Sequence, residues 1–412
     1  MKTILVISDG MADRPLKTLG GKTPIEAARK PAFDRLAATG ISGIMDPIAP
    51  GVPAGSDTSH LALLGYDPYK YYQGRGAFEA LGAGIDVRPG DISFRGNFAT
   101  VDENMVITDR RAGRIQNGAG ELAKALDGLA LDSYPDVKVI VKHTVEHRLA
   151  VLLRDQRLSR MVSDTDPDME GASVRRVTHL DESYESLRTA HIVNELSMAF
   201  HRVLESHPIN IKRRQEGLPP ANVVLLRGAG TVPEVQPITA TYGIKALAIA
   251  AGALYRGVAR CVGMDIIDVP RATGDYNTDT VAKAKAAVTN LPKYDFILVH
   301  VKAADSAAHD GNYEKKIMMV EKVNALVEYI LGNVDLNETF IALTSDHTTS
   351  TGLKEHTGDP VPLVITGPGI RRDSVERFGE TDCAKGGLGR IRGISLTPIL
   401  MDLAGRSPKF GE

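Results

Sequence analysis

Three apolar runs in this chain each lead into an acid. Ile4-Leu5-Val6-Ile7 leads to Asp9, Phe296 to Val301 leads to Asp305, and Phe340 to Thr344 leads to Asp346. Uncharged runs of this length read as strands buried on both faces, the mark of a parallel sheet with helices on either side. In such sheets ligands bind in the crevice outside the strand carboxyl ends. Three carboxylates meeting there repel one another unless a cation lies between them. The competing reading is that each Asp caps a following helix.

The elements between the runs agree with that architecture. Thr23, Pro24 and Glu26 form a capping box with proline at the first helical position. Ile25, Ala28, Ala32, Phe33, Leu36 and Ala37 follow at helical spacing. Pro31 predicts a kink or a break into two helices near Lys30, and Gly40 an end. Lys245 to Tyr255 reads as a helix, Tyr313 to Leu331 as a long amphipathic helix, and Pro362 to Thr366 as another buried strand. The predicted fold is α/β, a mostly parallel sheet with helices on both faces.

Residues 66–235 differ. Shorter strands are expected at Met105–Ile107, Val137–Val141, Leu149–Leu153 and Val223–Leu226, amid frequent arginines. This stretch reads as a smaller α/β domain inserted into a core made of residues 1–65 and 236–412. A chain of 412 residues accommodates this, at roughly 150 residues per domain.

Composition excludes other tasks. The net charge of −2 gives no basic excess for nucleic acid or a membrane surface. The longest uncharged apolar run, Ala246 to Tyr255, is about ten residues and too short to span a bilayer. The opening apolar stretch ends in Asp9, unlike a signal peptide. Two cysteines, Cys261 and Cys383, form no zinc pattern, so a cytoplasmic location is expected and any metal must use oxygen and imidazole.

Histidines complete the acidic set. His309 lies one helical turn beyond Asp305, His347 follows Asp346, and His356 lies in the next loop. Mixed carboxylate and imidazole ligands suit Mn²⁺ or Zn²⁺, with Mg²⁺ less suited. Asp9, Asp305, His309, Asp346, His347 and His356 exceed one tetrahedral ion and fit two ions at ~3.5–4 Å.

Gly55-Ser56-Asp57-Thr58-Ser59-His60 reads as a loop entering a short helix that Gly65 ends. A serine there faces free backbone N–H groups, which welcome a phosphate. A nearby metal would make its hydroxyl a nucleophile. The alternative is an ordinary N-cap by Ser56 or Asp57. Two decoys fail. Gly20-Gly21-Lys22-Thr23 lacks the first glycine of a Walker loop, where Leu16 stands. Gly74-Arg75-Gly76 lacks the third glycine of a dinucleotide fingerprint, where Glu79 stands. Arg110, Arg111, Arg114, Arg148 and Arg227 fall near strand ends, where guanidinium forks suit carboxylate or phosphate. The alternative is a solvated charged face.

Beyond these readings, the chain resembles the archaeal-type cofactor-independent phosphoglycerate mutases of the alkaline phosphatase superfamily, nearly end to end. The match runs through Ile7-Ser8-Asp9-Gly10-Met11, Gly55-Ser56-Asp57-Thr58-Ser59-His60, Leu64-Gly65-Tyr66-Asp67-Pro68 and Ser163-Asp164-Thr165-Asp166-Pro167. It continues through Leu226-Arg227-Gly228, Lys302-Ala303-Ala304-Asp305 with His309, Thr344-Ser345-Asp346-His347 and Lys354-Glu355-His356. The resemblance implies an isomerase that interconverts 3-phosphoglycerate and 2-phosphoglycerate without 2,3-bisphosphoglycerate. One divalent ion would be held by Asp305, His309 and His356. A second would be held by Asp9, Asp346, His347 and Ser56, with Mn²⁺ favoured and Mg²⁺, Co²⁺ or Zn²⁺ possible. Ser56 would be the phosphorylated nucleophile and Lys302 a catalytic partner. Asp109, Arg110, Arg114, Arg148, Asp164 and Arg227 would bind the small-molecule substrate, and the insert would close over the core. The alternatives are another phosphomutase, a phosphomonoesterase or a phosphonate hydrolase on the same core. A silent metabolite-binding protein would be expected to lack a ligand or Ser56, and none is missing.

Overall fold

The computed structural model describes residues 1–409 and 411. The chain divides into two compact units, Met1–Tyr72 with Glu234–Glu412, and Gln73–Pro233. Residues 66–72 thus lie with the first unit, where Tyr72 Oη donates to Asp57 at 2.7 Å and Tyr66 Oη to the Gln236 carbonyl at 2.6 Å.

The first unit is built on an eight-stranded sheet. Its spatial order is Gly389–Arg392, Ile41–Asp46, Val361–Thr366, Thr339–Thr344, Lys2–Ser8, Phe296–Val301, Ala246–Ile249 and Asp265–Ile266. The five strands from Thr339–Thr344 onward are mutually parallel. Val361–Thr366 runs antiparallel to both its neighbours. The three central strands are buried along nearly their whole length, as their unbroken apolar sequences require. Their register is aligned, with Ile7 opposite both His300 and Thr344. The chain therefore leaves all three strands at one edge of the sheet.

Helices follow the same logic. The capping box at Thr23 is formed on both sides, and the helix Pro24–Ala27 stops before a second, Pro31–Thr39. Proline at the break ends one helix and starts the next. One expectation needs correction. Lys245–Tyr255 is not a helix; Ala246–Ile249 is a strand paired with Phe296–Val299, and a separate helix spans Ala253–Cys261. Period alone does not separate a short apolar strand from a buried helix, and here sheet pairing decides.

The second unit carries a five-stranded, wholly antiparallel sheet. Its spine is Ile92–Val101, a strand the sequence analysis missed, paired with Arg148–Arg154, Val223–Gly230 and Ile107–Asp109. All ten of its residues are buried, including Ser93, Arg95 and Asn97, so its alternation does not mark a solvent face. Met105 sits at positive φ in the turn before Ile107–Asp109, which moves that strand two residues on. The helices Ala119–Leu126 and Tyr184–Glu205 supply Leu122, Leu126, Leu196 and Phe200 to a core with Phe94, Phe98 and Val151.

Candidate metal centre

The common edge of the central strands brings the sequence-marked residues of the first unit together. Asp9 follows the first strand and is fully buried. The next residue, Gly10, has φ of 59°. A Cβ there would fall 2.5 Å from Thr349 Oγ1 and 2.7 Å from Asp305 Cβ. Only glycine lets the chain turn this close, and its N–H donates to Asp346 Oδ1 at 3.0 Å. Asp305 and His309 lie on the helix Ala303–His309 one turn apart, with His309 Nε2 3.3 Å from Asp305 Oδ1. Neither Asp9 nor Asp346 precedes a helix, and Asp305 lies inside one, so none of the three is an N-cap.

Proton bookkeeping shows what this cluster needs. His309 Nδ1 faces the Lys354 carbonyl at 2.9 Å, and His356 Nδ1 faces the Ala54 carbonyl at 2.7 Å. Carbonyls only accept, so each Nδ1 carries the proton and each Nε2 presents a lone pair in the neutral ring. Those two Nε2 atoms are 3.2 Å apart, and each is 3.3 Å from Asp305 Oδ1. Three acceptors thus point at one another. A similar set lies beside them. The Thr349 hydroxyl donates to Asp305 Oδ1 at 2.9 Å, so it accepts from His347 Nδ1 at 3.0 Å. His347 Nε2 is then a lone pair, 3.4 Å from Asp9 Oδ1 and 3.3 Å from Asp346 Oδ2. Asp9 Oδ1 and Asp346 Oδ2 are buried without any hydrogen-bond partner. A buried, unpaired acceptor is costly, and a cation among acceptors removes that cost. Asp305–His309–His356 and Asp9–Asp305–His347 each offer ligand atoms within 4.8 Å of one another. The donor set therefore fits two divalent ions, with second-layer carbonyl and hydroxyl groups fixing the rings.

The electrostatics agree. Burial, then the Asp9 charge, push the Asp346 carboxyl well above the usual carboxylate range. Burial pushes His347 down to about 3, the neutral form that ligates metal. The hydrogen bond to Asp305 lifts His309 to about 9, so a proton fills the gap between the acceptors when no cation does. Lys302 Nζ lies 2.7 Å from Asp305 Oδ2 and 3.5 Å from Asp9 Oδ2. Burial favours its neutral amine, but Asp9 and Asp305 hold it protonated well above the usual lysine range. It is a fixed positive charge rather than a proton acceptor.

Ser56 opens the helix Ser56–Leu63 as its first residue, with Gly55 as N-cap and no side-chain cap. The ordinary capping role is therefore not taken by Ser56 or Asp57. Asp57 instead accepts from Thr58 N–H and Tyr72 Oη. Ser56 Oγ lies 3.1 Å from His347 Nε2, in the second acceptor set.

The predicted substrate residues all lie in the second unit, where Arg227 and Arg148 stand on the two strands that flank the one bearing Arg95. Arg110 makes a fork to Asp166, at 3.3 and 2.8 Å, and reaches Asp168 at 2.5 Å. Arg227 stands 3.8 Å from Asp166 and 3.7 Å from Asp168, and Asp164 accepts from Gly228 N–H at 2.8 Å. Arg148 lies across from Asn97 on the neighbouring strand, and its Nε is buried without a partner. Asp109 is absorbed by its own turn, accepting from the backbones of Arg111 and Gly113. Arg114 is exposed, on the wall of a cleft of about 850 Å³ shared with Lys212 and Arg213.

Sequence reasoning missed several residues. Tyr255, His300 and Thr349 surround Asp9 and Asp305, and His60 packs beside Tyr255 and His300. His300 left a signal, an imidazole inside an otherwise apolar strand. Tyr255 left none. Arg95, buried in the second unit near Glu79, was hidden in the overlooked strand.

A family model for 2,3-bisphosphoglycerate-independent phosphoglycerate mutase matches residues 37–210. Proteins of that name from Methanothermobacter thermautotrophicus and Thermococcus kodakarensis are 47% identical over 413 residues and 49% identical over 413 residues. The first match covers 100% of both chains, the second 100% of this chain and 99% of the relative. A solved protein of Pyrococcus horikoshii has a TM-score of 0.87 at 42% identity, covering 100% of this chain and 99% of that one. The cofactor-independent phosphoglycerate mutase of Thermoplasma acidophilum has a TM-score of 0.70 at 38% identity, covering 98% and 100%. The relatives named as phosphoglycerate mutases are isomerases. The chain belongs to the 2,3-bisphosphoglycerate-independent phosphoglycerate mutase family.

Proposed function

We propose that this chain interconverts 3-phosphoglycerate and 2-phosphoglycerate through a phosphorylated Ser56, at a site holding two divalent ions, Mn²⁺ foremost. The observation that carries this is the position of Ser56 Oγ, 3.1 Å from His347 Nε2, beside the orphaned acceptors Asp9 Oδ1 and Asp346 Oδ2. Asp305, His309 and His356 would hold one ion, and Asp9, Asp346, His347 and Ser56 Oγ the other. When bound, the ions neutralise charge on the transferring phosphoryl group and lower the pKa of the serine hydroxyl.

The chain's own residues do the rest. Ser56 Oγ gives up its proton and attacks phosphorus, the bond from phosphorus to the C3 oxygen of the substrate breaks, and that oxygen is protonated as glycerate forms. The C2 hydroxyl of the same glycerate then attacks the phosphoserine, its proton is released, and Ser56 Oγ leaves and is reprotonated. The phosphoryl group starts and ends on one molecule, so no bisphosphorylated cofactor enters the balance. Lys302 supplies a fixed positive charge beside Asp9 and Asp305. Arg110, Arg227, Arg148 and Arg114, with Asp164 and Asp109, are the proposed substrate-binding set of the second unit, whose guanidinium groups suit the carboxylate and phosphate.

The test is metal-free protein reloaded with Mn²⁺ and given 3-phosphoglycerate without 2,3-bisphosphoglycerate, followed by phosphorus NMR. The expected product is 2-phosphoglycerate. Free phosphate as the main product, or a requirement for the bisphosphorylated compound, would contradict the proposal.

A further inference from the structure

Asp9 is held asymmetrically. Its Oδ2 receives the Tyr255 hydroxyl at 2.5 Å, His300 Nε2 at 3.2 Å and Lys302 Nζ at 3.5 Å. Its Oδ1 receives nothing and lies 3.4 Å from His347 Nε2. All donors thus crowd onto one oxygen, and the lone pairs of the other face the acceptor set that includes Ser56. A carboxylate accepts only, so His300 must carry its proton on Nε2 to make this contact.

The donors are themselves braced. Tyr255 and His300 stack face to face, with ring centroids 3.7 Å apart and planes at 26°. The His60 ring stands 5.0 Å from both, and its Nδ1 donates to the Ser56 carbonyl at 2.7 Å. Gly252, the N-cap of the helix bearing Tyr255, leaves room for this stack: a Cβ there would come within 2.9 Å of the Tyr255 ring. Tyr255 and His300 are 4% and 1% exposed, so water does not substitute for either donor.

We propose that Tyr255 and His300 are positioning residues that saturate Asp9 Oδ2 and so present Asp9 to a cation through Oδ1 alone. This rests on the reading of Asp9 as an ion ligand and gives it a consequence for ion choice. A carboxylate with one oxygen occupied binds in monodentate fashion. That suits ions smaller than Ca²⁺ that take one oxygen per carboxylate, such as octahedral Mn²⁺ or tetrahedral Zn²⁺. It disfavours Ca²⁺, which takes six to eight oxygens and often both atoms of a carboxylate. The pair therefore acts as a selectivity device behind the ligand.

The experiment titrates Mn²⁺ into metal-free wild type, Tyr255→Phe, His300→Leu and His300→Gln, by calorimetry and by the paramagnetic signal of free Mn²⁺. Thermal midpoints of the metal-free proteins and competition by Ca²⁺ are measured alongside. Fewer than two Mn²⁺ ions bound by wild type sinks the two-ion reading itself, and that failure is read before any variant is considered. With two ions bound, Tyr255→Phe and His300→Leu are expected to weaken one ion by about 10–100-fold and leave the other unchanged. His300→Gln, which restores an N–H near the Nε2 position, should recover most of that affinity. Ca²⁺ should compete better in Tyr255→Phe than in wild type. Wild-type affinity for both ions in Tyr255→Phe and His300→Leu would overturn the proposal. So would equal weakening of both ions with a lowered metal-free midpoint, which is the mark of a merely structural role.

Discussion

The cluster around Asp9 and Asp305 in the first unit and the arginines Arg110 and Arg154 in the second handle charge in opposite ways. In the second unit Arg110 is answered by Asp166 and Asp168, and Arg154 by both oxygens of Asp91. In the first unit Asp9, Asp305, Asp346 and three histidines turn acceptors toward one another, with Lys302 as the cation among them. A buried charge away from that cluster can be matched. Lys316 is fully buried, yet it donates to Asp13 at 2.8 Å and to the carbonyls of Ala12 and Thr349 at 3.0 and 2.7 Å. An unbalanced cluster of buried acceptors is one that a bound cation would relieve. A balanced arginine must exchange a partner before it can take a ligand.

The largest effect expected from this contrast is at Ser56. Ser56→Ala should lower turnover by about 10⁴-fold or more, since nothing else nearby replaces the nucleophile. Its content of bound Mn²⁺ should fall far less, as measured by elemental analysis after gel filtration. Retained turnover would remove Ser56 from the mechanism. Next comes Asp305→Asn, which weakens a carboxylate common to both acceptor groups. Loss of both ions and of activity is expected, whereas Asp46→Asn, whose carboxylate is matched by Arg390, should keep both.

A smaller effect sharpens the second unit's side of the comparison. Arg227 stands farther from Asp166 and Asp168 than Arg110 does, so it is freer to meet a substrate anion. Arg227→Ala should raise KM by about 10–100-fold, in line with a charge-assisted hydrogen bond of roughly 1.5–3 kcal/mol. Arg110→Ala should raise KM less and lower thermal stability, because it strands Asp166. The reverse order, read from steady-state kinetics, would show that pairing does not gauge availability.

The smallest effect is in pH. In the ion-free protein His309 is raised to about 9 by Asp305, so a proton competes with the cation over the neutral range. Mn²⁺ affinity should rise with pH up to about 9 and then level. The sign for stability is opposite. A raised histidine stabilises the ion-free fold most fully below its unfolded value, and that contribution is lost as pH rises through about 9. Metal titrations and thermal melts across this range test both, and His309→Ala should reduce both slopes, leaving the part carried by His356, which Asp305 also raises.

The sequence made the ligands legible because their chemistry is local. An apolar run followed by Asp, or Asp and His one helical turn apart, is visible in a few residues. The supports were not legible because they are distant. Tyr255 meets Asp9 across 246 positions, at the end of a run read as one helix that splits into the strand Ala246–Ile249 and the helix Ala253–Cys261. Ile92–Val101 escaped because Arg95 and Asn97 look like a solvent face yet are buried. Nor does the sequence show which arginines are already paired, since Asp166 and Asp168 lie 56 and 58 positions from Arg110.

The most direct test is a crystal of the protein soaked in Mn²⁺ and measured at the manganese absorption edge. The account predicts two anomalous peaks, one among Asp305, His309 and His356, the other among Asp9 Oδ1, Asp346 Oδ2, His347 Nε2 and Ser56 Oγ. Saturating Mn²⁺ with no peak beside Ser56 would contradict it.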